Sequence, residues 1–217
     1  MKTILKNNGL SLVLFAIFFA LLVAQSITGY LQYNDQQREH NQPTVTYGGY
    51  LQTGHFLEAV GENWESEFLQ MTVYILFTVY LYQKGSAESK KIGEEEEVDR
   101  EPQPKPDAPW PVRVGGLALH LYNYSLTIAF FVLFLISFSL HAVGGAAEYC
   151  AEQQEHGQSE CPSAIQYVGT SQFWFESFQN WQSEFLAVGS IVVLSIYLRQ
   201  KGSPESKPVD APHHETG

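Results

Sequence analysis

The sequence predicts an all-α integral membrane fold, with four transmembrane helices arranged as two tandem helical hairpins around a disordered cytoplasmic linker. Three observations predict it: four separate apolar blocks, an internal repeat at one offset, and Lys and Arg confined almost entirely to one side of the blocks. The 217 residues are 45% apolar, but that fraction is gathered into residues 10–31, 68–82, 121–143 and 185–198. Polar, Pro-rich or acidic segments separate the blocks.

A bilayer core about 30 Å thick needs roughly 20 helical residues. The first and third blocks supply them directly. The second and fourth must each borrow a turn from the N-terminal side, so spans 64–82 and 181–198 are expected, and the borrowed turns carry Glu67 and Glu184 into the membrane. Lys2 and Lys6 before an apolar run also resemble a secretory signal. The first block corresponds to the third, however, which lies mid-chain and cannot be a signal, so the first is expected to be retained.

The repeat carries the second hairpin. Glu62-Asn63-Trp64-Glu65-Ser66-Glu67-Phe68-Leu69 aligns with Gln179-Asn180-Trp181-Gln182-Ser183-Glu184-Phe185-Leu186. Gln83-Lys84-Gly85-Ser86-Ala87-Glu88-Ser89-Lys90 aligns with Gln200-Lys201-Gly202-Ser203-Pro204-Glu205-Ser206-Lys207 at the same offset of 117 residues. Thirteen identities in sixteen positions exceed what composition produces, which implies duplication. With a gap of a residue or two, Gly29 answers Gly144 and Gln25 answers His141. Each unit crosses the membrane twice, so both copies share one orientation, related by a pseudo-twofold axis along the membrane normal.

Eleven of the twelve basic residues flank the blocks on the side of the chain ends and the linker; only Arg38 falls in a loop on the other side. Lys and Arg favour the cytoplasm, which places both ends and the linker there. The expected division is a first hairpin repeat over 1–90, a linker over 91–114, a second repeat over 115–207 and a tail over 208–217. The linker, with four consecutive acids from Glu94 and five prolines, buries too little apolar area to fold. Gly85 and Gly202 suit the left-handed position that ends a helix. The repeated Glu-Ser-Lys after them carries no chemistry legible from sequence.

Cys150 and Cys161 are the only cysteines, and both lie on the expected non-cytoplasmic side. If that compartment is oxidising, a disulfide closes the loop between them. Zinc bound by the pair with His156 matches no established spacing.

Asn63, Glu67, Gln70, Tyr74 and Thr78 follow helical spacing on one face, and Asn180, Glu184 and Ser195 repeat part of that stripe. Charged side chains in a membrane face the bundle interior or a water-filled cavity. The pseudo-twofold turns Glu67 and Glu184 toward one axis, where two carboxylates share a proton, shift a pKa or hold a cation. Asn63 and Asn180 would orient them, with Gln25 and His141 at similar depth. His55, Glu58, Glu62 and Glu65 form a second helix face, of which His55, Glu58 and Glu62 are weaker metal candidates. The plainer alternative is an interhelical hydrogen-bonded lock with no ligand. His120 reads as an interfacial side chain.

Gly54-His55-Phe56-Leu57-Glu58-Ala59, the two Asn-Trp-x-Ser-Glu-Phe-Leu copies, Trp110-Pro111-Val112-Arg113 and the ending Gly202-Ser203-Pro204-Glu205-Ser206-Lys207-Pro208 together resemble a bacterial family of small membrane proteins known only as a domain of unknown function. The resemblance covers nearly the whole chain and implies the bacterial inner membrane, with no activity, substrate or cofactor attached. Copy one has Glu65 where copy two has Gln182, so the charge symmetry is imperfect.

Two functional classes follow. One is a membrane protein that binds protons or divalent cations at the paired Glu site near the outer face, coupled to transport. The other is an envelope scaffold or accessory subunit that binds protein partners, a homo-oligomer or other membrane proteins, within the lipid bilayer. No Ser/His, paired-Asp or His-Glu-x-x-His arrangement points to catalysis. With net charge -11 and no basic face, nucleic acid is not an expected partner. No cofactor is expected beyond a divalent cation.

Overall fold

The computed structural model describes residues 2–155 and 161–217, without the side chains of residues 2, 3 and 155, and His156 lies outside the described residues. Among the described residues the chain is helical and has no strand. Four helices are long: α1 (Lys2–Glu39), α3 (Gly54–Tyr80), α6 (Ser125–Glu155) and α8 (Ser171–Tyr197). Four short ones connect them: α2 (Tyr47–Tyr50), α4 (Trp110–Val114), α5 (Gly116–Asn123) and α7 (Ala164–Val168). Two of the long helices, α1 over Ile4–Glu39 and α6 over Ser125–Gln154, are long and apolar enough to cross a membrane. The α3 and α8 helices have the length, at 27 residues each, but are interrupted by polar residues.

Several boundaries move from the sequence expectation, each for a local reason. Helix α1 runs eight residues beyond the apolar block, because Gln32 to Glu39 are tolerated in a helix and Asp35 pairs with Arg38 near the C-terminal dipole. It stops where Asn41 takes the left-handed conformation, φ 57°. The third block does not form one helix from residue 121: Tyr124 leaves helical geometry at φ -113°, ψ 9°, and His120 sits exposed on α5, edge-on to the Tyr124 ring. At its other end α6 continues through Gly144 and Gly145 to Glu155.

Helical turns also begin inside the expected linker, at α4, where Pro111 occupies the first turn in which its missing N–H costs nothing. Before that, residues 91–109 hold one 3₁₀ turn, Glu97–Asp99, closed by a reciprocal capping box between Glu96 and Asp99. The exit glycines do not cap helices directly. Helices α3 and α8 end at Tyr80 and Tyr197, and Gly85 and Gly202, both at φ 86°, occupy turns a few residues later. The Ser86 N–H bonds the Gln83 carbonyl, as the Ser203 N–H bonds that of Gln200, and positive φ at the third turn position is what glycine supplies there.

The chain forms two compact units, Met1–Val60 with Leu140–Val168, and Gly61–Ser139 with Gly169–Gly217. Helices α3 and α6 each contribute residues to both units. In the first unit, the Asn34 side chain bonds the Val45 carbonyl and N–H at 3.1 and 2.8 Å, and Ser26 meets the Tyr47 hydroxyl at 2.6 Å. In the second, Phe138 packs on fully buried Phe173, and Phe68 on Phe130. Apolar side chains such as Leu10, Phe15 and Leu21 stay more than half exposed along α1, a surface suited to lipid rather than water.

Candidate functional site

The acidic stripe folds differently from its sequence reading. In the second unit Glu65, not Glu67, is the fully buried acid of α3. Its Oε1 accepts from the Ser177 hydroxyl at 2.8 Å and from the Trp181 indole N–H at 3.1 Å. Ser177 and Trp181 stand one turn apart on α8, so both donors reach the same oxygen. The Trp181 ring is packed edge-on by Phe134, Trp174 and Phe178.

Two residues are about 200° of helix rotation. A face that buries Glu65 therefore turns Glu67 outward, and Glu67 and Asn63 are exposed while Gln70 is buried and Tyr74 and Thr78 are half-buried. Glu184 is half-buried and lies within electrostatic range of Glu67. Asn180 spends its amide on the Glu176 carbonyl of its own helix at 3.2 Å. The serines after each Asn bond back to them alike, Ser66 to the Asn63 carbonyl and Ser183 to the Asn180 carbonyl.

In the first unit, Gln25 is exposed on α1, whereas His141 is fully buried on α6. The carboxylate of Glu58 and a ring nitrogen of His141 lie within 4.8 Å of each other. The Tyr167 hydroxyl donates to Glu58 Oε1 at 2.9 Å. The four residues His55, Glu58, Glu62 and Glu65 do not act as one face: Glu58 serves Tyr167, Glu65 serves the second unit, half-buried Glu62 also belongs to the second unit, and His55 turns to Tyr50. His55 Nδ1 meets the Tyr50 hydroxyl at 3.2 Å, and its ring rests edge-on against Tyr33.

Burial lowers the His55 pKa below its ordinary 6.5, since an apolar surrounding disfavours imidazolium. The folded chain then binds this proton less readily than the unfolded chain, so the stability is present above the ordinary value and is lost as pH falls through it. Thermal unfolding of the parent is expected to decline on acidification below about pH 6.5, and the decline to shrink in His55→Gln. Identical pH curves for the two proteins would refute it.

Sequence reading missed Tyr50 and Tyr167. Both are fully buried, and they are 117 residues apart, as are Thr53 and Thr170, whose hydroxyls cap the first turns of α3 and α8. The ungapped offset, carried upstream past Glu62, is the signal that finds them. Each tyrosine covers a glycine: a Cβ on Gly29 would strike the Tyr50 hydroxyl, and one on Gly145 the Tyr167 ring. Gly145, one residue beyond the sequence alignment's choice of Gly144, is thus the counterpart of Gly29.

The repeated Glu-Ser-Lys has a local role. The Ser89 hydroxyl accepts from the Gln83 N–H and donates to the Lys90 carbonyl, and Ser206 does the same for Gln200 and Lys207. Each lysine then anchors the chain that follows. Lys90 pairs with Asp99 at 2.7 Å, and buried Lys207 donates to the carbonyls of Pro212, His213 and Glu215. The tail returns to the other exit, where the Gly217 N–H bonds the Ser86 carbonyl and the Gly85 N–H bonds the Thr216 hydroxyl. Cys150 and Cys161 form a disulfide.

No curated protein and no solved structure matches the chain. The model of a family described as a domain of unknown function, DUF6766, matches residues 1–217, and the chain belongs to that family.

Proposed function

We propose that this is a four-span protein of the bacterial inner membrane that binds a divalent cation through Glu58 and His141. The proximity of these two ligand groups, within 4.8 Å, carries the reading. A carboxylate with an imidazole suits zinc or another transition ion better than magnesium or calcium, which prefer all-oxygen shells. Tyr167 orients Glu58 through its hydroxyl, the supporting role that outer partners of metal ligands commonly fill. The four-span arrangement draws on the lengths of α3 and α8, the equal 117-residue spacing of their starts and ends, and the one-sided distribution of Lys and Arg. The cation reading moves the site from exposed Glu67 and its partner Glu184 to a buried histidine and its neighbour. The scaffold reading draws on the Glu65–Ser177–Trp181 lock, which ties α3 to α8 by two hydrogen bonds to one carboxylate oxygen.

Zinc added to the metal-stripped protein in detergent is expected to raise its thermal midpoint. Stabilisation of about 2.7 kcal/mol corresponds to a hundredfold excess over Kd. Glu58→Gln and His141→Gln should abolish the rise, while Glu67→Gln with Glu184→Gln should leave it intact. A midpoint indifferent to zinc, manganese and cobalt would sink the cation reading and leave the scaffold.

A further inference from the structure

Within the second unit, the turn after α3 and the segment that returns to it after α8 border a cavity of about 460 Å³. Lys84 lines it from the turn, Lys91 and Glu94 from the start of the linker, and His214, Glu215 and Thr216 from the returning segment. Backbone groups hold the walls. The Gly85 N–H bonds the Thr216 hydroxyl at 3.1 Å, the Gly217 N–H bonds the Ser86 carbonyl at 3.0 Å, and the Lys207 ammonium bonds the Glu215 carbonyl at 2.7 Å. On the linker side the Lys91 N–H bonds Glu96 Oε1 at 2.7 Å.

Walls braced in this way leave the charged ends uncommitted. Among the described residues, the ammonium groups of Lys84 and Lys91, the His214 ring and the carboxylates of Glu94 and Glu215 take part in no hydrogen bond and no ion pair. Two cations and two anions thus border one space without pairing. An ion of one sign entering it would be attracted by one pair and repelled by the other, whereas a ligand carrying both signs satisfies all four. The volume is within the range of small-molecule sites, about 300–1,000 Å³. Sequence comparison between the copies shows that this charge set is not a by-product of the shared exit motif. At the offset of 117 residues Lys84 answers Lys201, but Lys91 and Glu94 answer Pro208 and Ala211. The returning segment also covers the first exit alone: a Cβ at Gly85 would strike the His213 carbonyl oxygen, and one at Gly202 would meet nothing within 4 Å.

We propose that this cavity binds a phosphoethanolamine group, with the phosphate on Lys84, Lys91 and His214 and the ammonium on Glu94 and Glu215. Donors from three side chains match the several oxygens of a phosphate better than the two of a carboxylate, and two carboxylates accept the N–H groups of a primary ammonium. The group comes from the headgroup of a zwitterionic phospholipid or from a soluble phosphoamine. The lipid source rests on the four-span reading, under which the chain leaves the membrane at the end of α3 and Lys84, four residues past Tyr80, stands at headgroup depth.

Calorimetric titration of the full chain in detergent with soluble glycerophosphoethanolamine is expected to show saturable binding. Glycerophosphate, which lacks the ammonium, and glycerophosphocholine, whose ammonium has no N–H, should each bind about tenfold more weakly or worse. Lys84→Met, Lys91→Met, Glu94→Gln and Glu215→Gln should each weaken the binding by roughly tenfold, the loss of one charge-assisted hydrogen bond. Lys84, Glu94 and Glu215 are exposed, so their variants keep the packed interior intact, and exposed Lys201→Met at the second exit should bind as the parent does. In nanodiscs, competition by phosphatidylethanolamine and not by phosphatidylcholine supports the headgroup; soluble binding that phosphatidylethanolamine leaves untouched supports the free phosphoamine and removes the lipid source. The response to zinc tests Glu58 and His141 on their own, so the cation reading and this site fail separately. No saturable binding of glycerophosphoethanolamine, equal binding of glycerophosphate, or binding unchanged in both Lys84→Met and Glu215→Gln overturns the proposal.

Discussion

Gly144→Val is expected to break the α3–α6 crossing in the first unit and to cost about 3 kcal/mol or more, the largest single-site loss anticipated for this protein. A Cβ at Gly144 would press on the backbone of Leu57 and Glu58, with the Leu57 carbonyl carbon at 2.8 Å and the Glu58 Cα at 2.9 Å. One at Gly54 would lie 2.5 Å from the Glu148 N and 2.6 Å from the Gly144 carbonyl oxygen. Backbone faces backbone on both sides, so no side chain has freedom to swing away. Such close approach of helices through small residues is how packing substitutes for hydrophobic drive inside a bilayer. The helices must separate to admit the valine, which also pulls Glu58 from His141. Gly189→Ala on α8 is the matched control, because its Cβ meets nothing within 4 Å. Removing a helix-interior glycine there is expected to leave stability unchanged or raise it by roughly 0.5–1 kcal/mol. Thermal unfolding in detergent reads both variants, and a Gly144→Val midpoint equal to that of the parent would show the crossing is not the constraint described.

The same crossing explains part of what the sequence conveyed and part of what it hid. The long apolar runs of α1 and α6 and the doubled Asn-Trp-x-Ser-Glu-Phe-Leu words are one-dimensional signals, legible because period and composition carry them. Gly144 and Gly145 follow directly on the apolar block that ends at residue 143, and their use as a contact surface depends on Gly54, Glu58 and Tyr167, distant in sequence. Glu67 stood out for the same reason that Glu65 did not. It was the acid present in both copies, and symmetry between copies was the available guide. Burial answers to helix rotation instead, and Glu65 is buried because Ser177 and Trp181 on α8 offer it two donors. Ser89 and Ser206 were repeated without visible purpose because their partners are backbone groups of Gln83 and Gln200, which any residue type supplies.

That asymmetry yields the second large effect. Glu65→Leu is expected to cost about 3 kcal/mol, because it leaves the Ser177 hydroxyl, itself fully buried, and the Trp181 N–H without their shared acceptor. Glu65→Gln keeps an amide oxygen in the same place and should lose about 1 kcal/mol or less, while exposed Glu67→Gln should stay within about 0.5 kcal/mol of the parent. Combining Glu65→Leu with Trp181→Phe and Ser177→Ala separates lost hydrogen bonds from lost packing. If the cost is that of stranded donors, deleting the donors as well should recover part of it, giving a coupling energy of about 1 kcal/mol or more. Strictly additive losses would assign the effect to the cavity instead. A Glu67 variant more damaging than the Glu65 variant would restore the outward stripe as the structural acid of α3, and with it the paired-glutamate site that the two repeat copies suggest.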